Sequence, residues 1–149
     1  MIYNHLALEP LLIERLKSAV PEFRDVIGMA DLAAMQESSQ VTPAAHVIYQ
    51  GDTLPSGNSA GQGSTQMVVQ TWWVVVAVRS ARDTRGGSGA REEAGTLLGG
   101  VIQALSGWNP GNGFQPLQRV NTIKPGFNAG FGYFPLAFET RFVTNGVKK

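Results

Sequence analysis

The chain has no cysteine, which removes a disulfide framework, a thiol nucleophile and every thiolate metal site. It has only two histidines, His5 and His46, and neither stands beside a carboxylate pair at metal-ligand spacing. Charge of one sign is missing too. Twelve basic against eleven acidic residues leave +1, too little to drive a dedicated nucleic-acid binder or a polybasic membrane protein. No apolar run approaches the roughly 20 residues of a membrane helix. The first residues lack the basic and apolar regions of a signal peptide, so the expectation is a protein made in the cytoplasm, without membrane contact.

Catalytic and cofactor motifs are equally scarce. No GxxxxGK[ST] phosphate loop occurs, and residues 57–63 (GNSAGQG) have neither the lysine nor a following helix. Residues 86–90 (GGSGA) lie between a strand-like and a helix-like stretch, as a nucleophile elbow does. The fifth residue is Ala90 rather than glycine, however, and both histidines precede Ser88 in the chain. Ser88 reads as a helix N-cap. The expectation is no catalytic, cofactor or metal site.

What is present is a long strand. Across residues 66–79 (QMVVQTWWVVVAVR) all but Gln66, Gln70 and Arg79 are β-branched, aromatic or otherwise apolar. Both alternating sets, one containing Met67, Val69, Trp73 and Val75 and the other Val68, Trp72, Val74 and Val76, are apolar, so neither face is built for water. Residues 89–105 then carry Ala94, Leu97, Leu98, Val101, Ile102 and Leu105 on one helical stripe. Gly95, Gly99 and Gly100 interrupt it at up to about 1 kcal/mol each, which suggests a close backbone approach by the sheet or by a neighbouring chain. Gly107 marks the helix stop.

Elsewhere, Pro10 and the spacing of Leu8, Leu12 and Leu16 predict a helix over residues 9–20. Residues 25–28 read as a short strand, Asp31 as the cap of a brief helix to residue 36, and residues 44–50 as a strand. Residues 51–64 read as a long mobile loop. A strand broken by Pro116 is expected over residues 114–120. The alternation in residues 133–144 predicts a half-buried last strand with Pro135 at an edge or near its start. The whole reads as one α/β (α+β) domain, 1–149, with a mixed or antiparallel sheet of four to five strands and two main helices on one face.

The order of these features resembles the tail terminator proteins of long-tailed bacteriophages and prophages, particularly the Mu-like branch. The residues that carry the likeness are the strand ending in Val78-Arg79, the helix opening near Ala90-Arg91, the Gly107-Trp108 close, and the final strand with Pro135-Leu136-Ala137-Phe138. The resemblance implies a structural virion protein, not an enzyme. Such subunits form a six-membered ring on the tail tube, stop its polymerisation and meet the head-neck connector proteins, with DNA only passing through the lumen. It also implies a place at the neck end of the tail, after assembly in the host cytoplasm. A neck or tail-completion adaptor is the alternative, and a nucleic-acid-binding accessory protein a more distant one. Two helices cover one sheet face and hardly both, so a neighbour is expected to cover the rest. The candidate assembly interface comprises Arg79, Arg82, Arg85 and Arg91, the helix glycines Gly95 and Gly99, and Trp108, with Arg82 and Arg85 at its polar rim.

Overall fold

A computed structural model describes residues 4–55, 59–79 and 88–147. Its frame is a pair of strands, β4 (Thr65–Arg79) and β7 (Phe131–Asn145), paired antiparallel over their full lengths from Thr65 opposite Asn145 to Arg79 opposite Phe131. Around them run β1 (Asp25–Ile27), β2 (Ala44–Thr53) and β5 (Gln118–Val120) in the order β1-β2-β4-β7-β5. Two short strands attach at the sides: β3 (Ser59–Ala60) on β4, and β6 (Gly126–Asn128) on β7. Among the described strands only β1–β2 is a parallel pair, so the sheet is mixed and the class is α+β.

The helices α1 (Leu8–Ala19) and α3 (Ser88–Leu105) pack on one face. α1 contributes Leu8, Leu12 and Leu16, each fully buried, and α3 contributes Ala94, Leu97, Val101, Ala104 and Leu105. They meet Ala45 and Val47 of β2, Val68, Trp72, Val74, Val76 and Val78 of β4, and Leu136, Phe138 and Phe142 of β7. The even positions of β4 and β7 therefore face the helices, as period-2 alternation requires once one member is placed. Gln70 falls on that buried face. Its amide donates to the His5 carbonyl at 2.7 Å, and its carbonyl accepts from Trp72 Nε1 at 2.7 Å, so the polar atoms are satisfied and the N-terminal segment is held over the end of the core.

Several boundaries differ from the sequence reading. Residues 51–64 are not one loop. β2 runs on to Thr53, and β3 turns back through Gly61–Gly63 onto β4; residues 56–58 lie outside the description. The positive φ values of Gly61, Gln62 and Gly63 close that turn, and the extension is fixed by pairing with β4 rather than by its own polar residues. The helix after β1 is α2 (Met29–Ala34), capped at Gly28 and not at Asp31, which sits in its first turn. A 3-10 turn, Glu37–Ser39, follows α2. Only Gln118–Val120 of residues 114–120 forms a strand on β7, and Gln115 meets β7 through its N–H donated to the Arg141 carbonyl. Gly107 does terminate α3, with a φ of +79° and its N–H donated to the Leu117 carbonyl. Pro135 falls where β7 has lost its outer partner: β6 pairs with Phe131 to Tyr133, and β5 with Ala137 to Glu139.

Leu16 has no exposed surface, whereas Leu98 packs half-buried at the rim of the core. Leu16→Ala is expected to lower unfolding free energy by about 2–5 kcal/mol and Leu98→Ala by less. Denaturant melts check the ranking, and equal losses would mean that the core boundary is misplaced.

Candidate functional site

The second sheet face carries the even residues of β2 (Ala44, His46 and Ile48) with the odd residues of β4 and β7. Its upper part is covered from within the chain. The segment from α2 through the 3-10 turn crosses it and is held by polar contacts to β7. Tyr133 Oη donates to Glu37 Oε2 at 2.5 Å, Gln40 Nε2 donates to Tyr133 Oη at 2.8 Å, and Asn128 Nδ2 donates to Glu37 Oε1 at 2.8 Å. These bonds hold the Glu37 carboxyl below its ordinary value, the Tyr133 bond first. Burial and then the same carboxylate push the Tyr133 phenol up to about 12. The strap is thus a neutral phenol on an ionised carboxylate throughout the physiological range.

Beneath the strap His46 is buried, its ring tilted against Tyr133 at 6.2 Å and its Nε2 without a hydrogen-bond partner among the described residues. Burial pulls its pKa below the ordinary 6.5, and the nearby Asp25 carboxylate opposes this. Among the described residues nothing covers the lower part of the face in this way. There Ile48, Thr71, Trp73 and Met67 are half-buried and Val143 is 42% exposed. The Arg141–Glu139 pair, at 3.6 Å, borders this part on β7.

The candidate interface residues are dispersed over the molecule. Arg79 is exposed at the end of β4, its guanidinium 4.7 Å from the centre of the buried Phe131 ring. Arg91, Gly95 and Gly99 are exposed along α3, and a Cβ built on either glycine would meet nothing within 4 Å. The sheet therefore does not require those glycines. Gly100 does have a neighbour, Val20, at 3.4 Å. Trp108 is half-buried against the core with Arg15 5.4 Å above its ring, and that guanidinium also donates to the Ala104 carbonyl at 3.0 Å. Arg82, Arg85 and the Ser88 side chain lie outside the described residues. No group of three or more histidines, aspartates or glutamates among the described residues could hold a metal. No helix described is long and apolar enough to cross a membrane.

What the described residues offer is surface: a partly exposed apolar patch on one side of the sheet and a glycine-lined helix on the other. A family model described as phage tail terminator protein matches residues 1–148. The chain belongs to that family. No curated protein matches it closely enough to add a second comparison. Tail terminators are structural components of the virion, which accords with a site made of packing surfaces. Sequence reasoning missed the Tyr133–Glu37–Gln40 strap, whose members are far apart in the chain. It also missed the exposed stretch between β5 and β6, where Ile123 and Phe127 are 61% and 65% exposed.

The buried His46 gives this tail terminator family member an expected pH dependence. Its folded pKa is lowered, so the stability it confers is complete above the unfolded value of 6.5 and is lost as pH falls from there through the folded value. Melts of the native chain should lose up to about 1.4 kcal/mol per pH unit on that limb, and His46→Gln should flatten it. An identical pH profile in the variant would show that His46 does not govern acid stability.

Proposed function

We propose that the chain is the subunit of a ring, hexameric as in the proteins it resembles, that caps the tail tube and stops its polymerisation. The observation that carries this reading is the half-covered second face of β4 and β7. A strand pair this apolar, with Trp73, Ile48 and Val143 left partly in water, is suited to burial against another protein. Membership of the tail terminator family supports the same role.

On this reading the partners are other copies of the chain, the tail tube protein and the head-neck connector proteins, and DNA only passes through the lumen. The subunit sits at the neck end of the tail after assembly in the host cytoplasm, as in the Mu-like branch. The exposed arginines Arg79 and Arg91, with Arg82 and Arg85, supply polar rims that steer association more than they strengthen it. Gly95 and Gly99 allow a neighbour to approach the α3 backbone closely, beside Trp108.

Purified chain added to polymerising tail tube protein is expected to give tubes that stop growing, with a ring visible at one end by electron microscopy. Trp73→Glu, on the uncovered patch, should reduce capping at least tenfold while leaving the fold intact by circular dichroism. Tubes that grow unchecked in the presence of folded native chain, yet still join heads, would overturn capping in favour of a neck adaptor.

A further inference from the structure

The β5–β6 connection and the β1 edge lie at opposite ends of one line of paired residues. Asp25 of β1 is opposite Ala44 of β2, Ala44 opposite Ala77 of β4, Ala77 opposite Tyr133 of β7, and Tyr133 opposite Gly126 of β6. This rung crosses the whole sheet. At one end the chain from Asn121 to Pro125 leaves the ladder and forms an arm, exposed throughout and bearing Ile123 and Lys124. Phe127 anchors it by packing edge-on against Phe134, with ring centres 5.9 Å apart. The space it uses exists because residue 132 is glycine: a Cβ there would lie 2.9 Å from the Phe127 ring.

At the other end of the rung lies a cleft of about 370 Å³, floored by Leu97 and Pro43 and edged by Glu22, Glu93 and Thr96. Pro43 sits beside the edge strand, its carbonyl accepting the Arg24 N–H at 2.8 Å. Glu22 and Thr96 also border the adjoining groove between α1 and α3, where Gly95 and Gly99 open the helix backbone. Cleft and groove form one trough along one flank of α3. The arm lies along the other flank, beyond Leu98.

The charges match as well. No acidic residue occurs between Glu93 and Glu139, and that stretch carries only Arg119 and Lys124 as charged groups. Neither cation has an ion-pair partner among the described residues, and neither do Glu22 and Glu93. Arg15, the basic residue that lines the trough, is already engaged with Ala104 and Trp108.

We infer that the arm of one copy, with Ile123 and Lys124 foremost, docks in the Glu22–Glu93 trough of the next and makes the lateral contact of the ring. This rests on the ring reading above. The occupant is a second copy because the two surfaces complement each other in apolarity and charge, and because one chain's arm is separated from its own trough by α3. A contact between different patches of identical subunits is heterologous; it closes into a ring when the repeat turns without climbing. Arm and trough lie near the two ends of one rung, an arrangement that suits such a repeat.

A cysteine-free chain makes the test direct. Ile123→Cys combined with Thr96→Cys, oxidised mildly under assembly conditions, should give a ladder of covalent multimers ending at one closed size on a non-reducing gel. Each single cysteine should give none beyond dimers. Lys124→Glu should weaken self-association at low salt by about tenfold or more, as should Glu22→Lys with Glu93→Lys, and the triple variant should recover it. All of these positions are exposed, so thermal melts should be unchanged. Multimers that form normally but give no ladder and ignore the charge changes would overturn this contact while leaving the ring in place. A native chain that stays monomeric both alone and on tail tubes would overturn the ring reading itself.

Discussion

The fifteen-residue pairing of β4 with β7 is the constraint on which the remaining architecture depends. In a ladder of that length a slip by one residue would move every side chain of one strand to the opposite face. With the observed register, Trp72, Val74 and Val76 lie with Phe138, Leu136 and Phe134 towards the helices, and Trp73, Val75 and Ala77 lie with Ala137, Pro135 and Tyr133 on the other side. Everything else responds to the second set. A short helix and a 3-10 turn cover part of it, tied down by Tyr133, and the part that remains is half-buried among the described residues.

The strap and the N-terminal segment show two ways of closing a sheet that is apolar on both faces. His5 lies over the end of the helix-side core, its ring edge-on to Phe142 and its Nε2 2.8 Å from Asp52 Oδ2, while its carbonyl takes the Gln70 amide. On the opposite face Glu37 and Gln40 converge on one phenol. Both closures use polar groups because each ends in water. An apolar contact there would gain little burial, whereas a charge-assisted hydrogen bond keeps its direction.

The parts of the fold legible in the sequence were those whose residues carry their own periodicity. β4, β7, α1 and α3 each repeat an apolar pattern long enough to identify, and Gly107 and Pro135 act through backbone chemistry that needs no partner. β3 and β6 have no such signal. Ser59–Ala60 and Gly126–Asn128 are strands only because β4 and β7 extend far enough to receive them, and the same holds for the last residues of β2. The candidate site was legible only as a need. An apolar strand on both faces called for a second cover, yet the sequence alone could not say that α2 would supply half of it. Nor could it separate the buried Trp72 from the half-exposed Trp73, since parity is set by the partner strand. The arm carries no periodic pattern, and the sequence assigns it no element. One signal pointed further, the apolar Ile123 beside Lys124 in a stretch without acidic residues.

Pro135 has no N–H to offer an outer strand, and at that point the chain beyond β5 parts from β7 until β6 rejoins it. A single imino acid in the middle of the longest ladder thus divides the sheet margin into two short pieces and releases the residues between them from hydrogen-bond duty. Those residues are free to change in sequence and length without altering the register of β4 and β7. The residues that fix the long ladder and those of the exposed connection are thus separate parts of the chain, so a change in the connection leaves the scaffold in place.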